Sequence, residues 1–187
     1  MTITVTPTTI PDVLIVEPKI FEDERGYFFE SFNSKSLQAS TNTCHKFVQD
    51  NHSKSSKGVL RGLHYQIHRP QGKLVRVIEG TIFDVAVDIR VNSPTFGMWA
   101  GVELSADNRK QLWVPPDFAH GFYVKTDCAQ VLYKTTEFFY PENERTILWN
   151  DKNIGIDWPL TSSDIILSEK DKAGELLSKA DLPVFSK

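Results

Sequence analysis

Between residues 58 and 73 the chain reads GVLRGLHYQIHRPQGK, which crowds Arg61, His64, His68, Arg69 and Lys73 into one short segment beside a run with strand character. Lys and Arg number 21 in this chain against 24 Asp and Glu, so a cationic cluster of this density stands out. Such a cluster can hold a phosphate or carboxylate and supply a base near neutral pH, because histidine titrates there unaided. On the residues alone it fits equally well a solvated sheet edge with one satisfied histidine, since charge clusters mark sites only statistically.

Two further chemistries can be weighed against the spacing. Small β-barrels bind metal through a Gly-rich run with two histidines and a glutamate, completed by a histidine on a later strand. Gly62, His64 and His68 match part of the first half, and Pro115, Pro116 and His120 in VPPDFAHGF match the second. His64 and His68 lie too far apart for a tight bite from one strand, and Lys73 stands where a carboxylate ligand is wanted, so the expectation is no metal. Acid–base work is the better fit, with His64, Lys73, Asp84, His120, Tyr133 and Asp171 as candidates. Asp84 is either solvent-facing or a carboxylate that needs a partner such as a histidine. Asp171 follows Ser168 at capping-box spacing, which gives it a purely structural alternative.

These residues need a scaffold, and the pattern predicts strands. Residues 74–91, LVRVIEGTIFDVAVDIRV, are two Val- and Ile-rich runs broken at Glu79-Gly80, the signature of a β-hairpin. In the second run Phe83, Val85, Val87, Ile89 and Val91 share a face that must be buried. Ile82, Asp84, Ala86, Asp88 and Arg90 share the other, which meets solvent or a polar cavity. Similar runs recur at 13–17, 27–32, 59–67, 98–104, 111–115, 121–124, 130–139 and 145–149, separated by Gly, Pro, Asn and Asp, which indicates an antiparallel sandwich or barrel. Helix signals are confined to SKSLQAS after Asn33 and to Ser168–Ala180, which is expected outside the β core within a helical segment at about 162–187.

The 187 residues make one domain, with 40% hydrophobic and 11% aromatic residues to build its core. A net charge of −3 argues against a general nucleic-acid binder. No apolar stretch is long enough for a transmembrane helix, and the N-terminal residues lack the pattern of a signal peptide, so the expectation is a cytoplasmic protein without a membrane partner. Cys44 and Cys128 fit no zinc or redox motif and are expected to be reduced thiols.

Longer strings now carry more than spacing does. DERGYFFESFN (23–33), FVQDNHSKS (47–55), GVLRGLHYQ (58–66), QGKLVRVIEGTIFDVAVDIR (71–90), SPTFGMWAGVELSADNRKQLWVPPDFAHGF (93–122), ILWND (147–151) and LSEKD (167–171) closely resemble the dTDP-4-dehydrorhamnose 3,5-epimerase family, in order and over nearly the full chain. The resemblance implies an all-β, cupin-like antiparallel jelly roll with a few short peripheral helices. It also implies a homodimer that acts, without metal or other cofactor, on dTDP-4-keto-6-deoxy-D-glucose in the route to dTDP-L-rhamnose.

By the same resemblance His64 is the base, Asp171 its partner, Lys73 the cation near the developing oxyanion and Tyr133 the opposing acid, with His120 and Asp84 in support. The chemistry suits them. Proton removal beside a ketone leaves an enolate that a fixed ammonium stabilises, and inversion requires protonation from the opposite face. The nucleotide contacts fall on Arg25, Glu30, Gln49, Asn51 and Arg61, part of them, around the ERG segment, supplied by the partner subunit. Arginine's fork suits a diphosphate. Phe21, Tyr27 and Tyr140 are the candidates to stack on the base, while His68 and Arg69 receive no role. Three other readings compete: a 3-epimerase of antibiotic-sugar biosynthesis, a metal-dependent cupin and a non-catalytic sugar-nucleotide binder, the last disfavoured because binding alone needs no base facing an acid.

Overall fold

The computed structural model describes residues 3–41, 44–160 and 165–184. Its strands form two facing antiparallel sheets. One has six strands, in the order β1 (Ile3–Pro7), β2 (Leu14–Pro18), β10 (Gln111–Val114), β7 (Lys73–Glu79), β12 (Cys128–Thr135) and β5 (Gln49–Ser56). The other has five, in the order β13 (Glu144–Thr146), β6 (Leu60–Gln66), β11 (Phe118–Val124), β8 (Thr81–Asp88) and β9 (Trp99–Ser105). A separate arm pairs β3 (Phe21–Asp23) with β4 (Gly26–Phe28), and α1 (Ser34–Thr41) follows Asn33 as expected. The chain crosses from one sheet to the other between β5 and β6, β6 and β7, β7 and β8, and at each step from β9 to β12, which makes the fold a cupin-like jelly roll.

That alternation corrects the hairpin expected at 74–91. β7 and β8 do not pair with each other: β7 bonds to β10 and β12, and β8 to β11 and β9. Gly80, at φ +76°, turns a corner between sheets in a space where a Cβ would lie 2.0 Å from the Cys128 carbonyl oxygen. Both faces of β8 are therefore buried. Ile82 and Ala86 enter the core between the sheets with Val75, Val77, Leu112, Val131 and Phe122. Val85, Val87 and Ile89 enter a second core, where the C-terminal part of the chain covers the five-stranded sheet with Ile147, Ile154, Trp158 and Leu177.

The C-terminal helix is also shorter than expected: α2 spans only Glu169–Lys172. Its Ser168 cap forms, but the backbone beyond it is drawn into other pairings. Glu175 bridges Ile147, its amide and carbonyl bonding Thr146 and Leu148, and the Leu177 amide donates to Asp151 Oδ2 at 2.7 Å. Each of these bonds uses a group that a longer helix would need. Residues 162–164 and 185–187 of the expected helical segment lie outside the described residues.

Where β6 passes β11 the register shifts between His120 and Phe122, and two glycines lie back to back. A Cβ on Gly62, at φ +120°, would stand 2.6 Å from Gly121 Cα; one on Gly121 would stand 2.6 Å from the Arg61 carbonyl oxygen. Backbone cannot yield as a flexible side chain can, so Gly121→Ala is expected to cost about 1–3 kcal/mol through overpacking. Urea unfolding checks it, and unchanged stability would show that the approach of these strands is not required.

Candidate active site

The sheets part at the β5 and β6–β13 edges, and the space between them is a cavity of about 340 Å³. The five-stranded sheet contributes Arg61 and His64 from β6 and His120 and Phe122 from β11. The six-stranded sheet contributes Lys73 from β7, Tyr133 from β12, and Gln49, Asn51 and Ser53 from β5. Seven of the residues singled out in the sequence thus meet in one place, with His64 and Tyr133 on opposite sheets.

The two remaining acidic candidates each stand behind a histidine. His64 Nε2 lies 2.6 Å from Asp171 Oδ1, which also accepts from the Gly62 amide at 3.2 Å. The Ser168 hydroxyl donates to the second Asp171 oxygen at 2.7 Å, and the Asp171 amide donates back to Ser168 Oγ at 3.2 Å. Asp171 therefore bonds to the helix cap, Ser168, and partners the histidine at once, and the two readings of it merge. On the neighbouring strands Asp84 Oδ1 lies 2.8 Å from His120 Nε2. Asp84 is fully buried, on the interior-facing row of β8, and its Oδ2 has no hydrogen-bond partner among the described residues.

Electrostatics sort the roles. Burial alone would raise the Asp171 carboxyl, but hydrogen bonds from His64, Ser168 and the Gly62 amide outweigh it and hold the group at about 2. Burial pushes the His64 ring below its ordinary value, partly offset by Asp171, while the Lys170 and Lys73 ammonium groups lower it further. Near neutral pH the ring is thus neutral and the carboxylate ionised. The Nε2 proton must then be the one donated to Asp171, which leaves the Nδ1 lone pair able to accept a proton. Burial brings Lys73 down to about 8, opposed by Asp84 and Glu144, so it remains largely protonated at pH 7. Its ammonium donates to the His64 carbonyl at 3.3 Å. Burial raises the Tyr133 phenol, against the nearby Arg61 charge, so it keeps its proton.

Among the described residues no group of three or more His, Cys, Asp and Glu side chains has the arrangement of a metal site, and no helix is long and apolar enough to cross a membrane.

Residues 7–179 match the sequence family described as dTDP-4-dehydrorhamnose 3,5-epimerase. The chain belongs to that family. Enzymes of this name from Shigella flexneri and Pseudomonas aeruginosa are 58% and 54% identical to it, over 93% and 94% of this chain and 96% and 97% of their own lengths. A crystal structure of dTDP-6-deoxy-D-glucose-3,5-epimerase from Legionella pneumophila, in complex with dTDP-4-keto-L-rhamnose, superposes with a TM-score of 0.96 at 49% identity, covering 99% of this chain and 100% of that one.

Against this family's expected site, two residues stand apart. Arg25 is at the tip of the β3–β4 arm, exposed and paired with Asp23, and Glu30 lies near Asn33; neither lines the cavity of its own chain. Nor do the three stacking candidates. Phe21 and Tyr27 are exposed on the arm, and Tyr140 carries the Arg69 guanidinium 4.5 Å over its ring. Phe139, not singled out in the sequence, does line the cavity, and its amide donates to Gln49 Oε1 at 3.0 Å. The sequence reading also passed over Glu144 and Lys170, which line the cavity as an ion pair at 2.7 Å. The position of Lys170 next to Asp171 was the one available signal for it.

The Asp171 carboxyl has a consequence for acid stability. A folded-state value of about 2 against an ordinary 3.8 contributes about 2 kcal/mol, present above pH 3.8 and lost as pH falls through 2. Asp171→Asn is expected to be less stable at pH 7 and to lose stability less steeply than the wild type between pH 4 and pH 3, measured by urea unfolding. Equal slopes would contradict the assignment.

Proposed function

We propose that this epimerase inverts carbons 3 and 5 of dTDP-4-keto-6-deoxy-D-glucose, giving dTDP-4-keto-L-rhamnose for dTDP-L-rhamnose biosynthesis, with His64 as base and Tyr133 as acid. The observation that carries the reading is a neutral, carboxylate-held His64 and a protonated Tyr133 on opposite walls of one cavity, with a buried ammonium beside them. Both reacting carbons flank the same ketone, so one carbonyl acidifies both. His64 Nδ1 takes the proton, the electron pair moves into the carbonyl to form an enolate, and Asp171 stabilises the resulting imidazolium. The Lys73 ammonium offsets the charge on the oxygen in a site shielded from water. The Tyr133 phenol delivers a proton to the opposite face, and the Arg61 charge favours the phenolate left behind. His120, held by Asp84, orients the sugar.

Gln49, Asn51 and Arg61 are read as nucleotide contacts of the same chain. The arm supports a homodimer in which Arg25 and Glu30 of one copy complete the nucleotide site of the other, because Phe21, Tyr27 and Phe28 on it are 42–60% exposed, more apolar surface than a small arm leaves uncovered without a partner. The free Cys44 and Cys128 suit a reducing compartment, and we place the reaction in the cytoplasm.

Incubation with dTDP-4-keto-6-deoxy-D-glucose in D2O, followed by NMR, tests the proposal. Deuterium is expected at carbons 3 and 5, and His64→Asn should slow its entry at both by about 10²–10⁴-fold, the usual contribution of a general base. Tyr133→Phe should let exchange continue while inversion fails. Label at carbon 3 alone, or full exchange by the His64 variant, would overturn the reading.

A further inference from the structure

Arg61 lines the cavity, and among the described residues no carboxylate pairs with its terminal nitrogens, yet the guanidinium is not loose: its Nε donates to Ser55 Oγ at 3.0 Å. Ser55 is itself only 6% exposed, near the end of β5 in the inward-facing row that also carries Gln49, Asn51 and Ser53. Arg61 is the second residue of the next strand, β6, in the opposite sheet. The bond therefore spans the corner where the chain turns at Gly58, and ties β5, at the edge of one sheet, to the start of β6 in the other. The turn itself is held by backbone bonds from the Lys57 and Gly58 amides to the Asp127 and Val124 carbonyls. With both ends of the contact fixed, the serine can set the direction of the fork.

A guanidinium has five N–H donors in a rigid plane, and a bond to Nε fixes that plane while leaving the Nη pair outward. Bidentate recognition of a phosphate depends on just this orientation, and a free arginine would have to give up rotamer entropy to reach it. The hydroxyl accepts the Nε proton without adding a negative charge that would compete with an anion, as an Asp or Glu in its place would.

We propose that Ser55 is a positioning residue of the diphosphate subsite, aiming the Arg61 fork at the pyrophosphate of the bound nucleotide. This rests on the reading of Arg61 as a diphosphate contact. Its effect is on binding: the reacting carbons are met by His64 and Tyr133, neither of which bonds to Ser55.

Calorimetric titration of the full-length protein with dTDP and with thymidine tests this, together with steady-state kinetics on the 4-ketosugar substrate. Ser55→Ala is expected to weaken dTDP about tenfold, in line with the loss of one hydrogen bond to a charged group, and to raise KM by a similar factor with kcat nearly unchanged. Thymidine, which lacks phosphate, should bind as it does to the wild type, which also reports that the variant is folded. Ser55→Cys, nearly isosteric with a poor acceptor, should behave like Ser55→Ala, and Ser55→Thr should recover dTDP affinity. Wild-type dTDP affinity in both Ser55→Ala and Ser55→Cys would overturn the proposal, as would equal losses for dTDP and thymidine. Arg61→Ala separates the two levels: if it too binds dTDP normally, the diphosphate reading of Arg61 fails; if it loses affinity while the Ser55 variants do not, only the positioning role fails.

Discussion

Asp171 joins two parts of the chain more than a hundred residues apart, accepting from the His64 ring, the Gly62 amide and the Ser168 hydroxyl. A buried carboxylate is costly unless it is fully hydrogen-bonded, and three donors on one group meet that cost. The bond to His64 then does two things at once. It ties the C-terminal part of the chain to β6, and it fixes the tautomer so that one ring nitrogen is always the donor and the other always the base.

The rest of the site follows from how the sheets meet. Over most of their area β7, β10 and β12 face β8, β9 and β11 across an apolar core, but at the β5 and β6–β13 edges the same inward rows turn polar. Lys73 and Asp84 are both buried, and the Asp84 charge raises Lys73 against the lowering effect of burial. A cation therefore stands in the cavity at pH 7. The glycine pair at Gly62 and Gly121 lets β6 and β11 approach closely enough for their histidines to lie side by side in register.

Much of this was legible in the sequence because the residues that build the site sit inside long contiguous strings: GVLRGLHYQ, QGKLVR and LSEKD contain His64, Lys73 and Asp171. What escaped did so for physical reasons. A Val- and Ile-rich pair of runs around Glu79-Gly80 has the same local pattern whether the two strands pair or part, and only the second sheet decides between them. β5, QDNHSKSS, was not read as a strand because its inward row faces a polar cavity; the demand of the site removed the apolar alternation that marks a strand. The helix expected from Ser168 to Ala180 had a true cap but lost its later turns to pairing with Thr146 and Leu148, a tertiary contact that outweighs helix propensity. Glu144 and Phe139 come from a stretch, KTTEFFYPENERT, whose roles are assigned by how it folds over the cavity mouth through Gln66 and Gln49.

The central claim is that Asp171 holds His64 as the neutral tautomer with its proton on Nε2 and its lone pair on Nδ1. Long-range proton–nitrogen NMR of the imidazole, followed from pH 8 to pH 5, tests this most directly. The account predicts that His64 shows a protonated Nε2 and an unprotonated Nδ1 at pH 7, and takes up its second proton below the ordinary histidine range. A proton on Nδ1 at pH 7, or a ring already charged there, would contradict it.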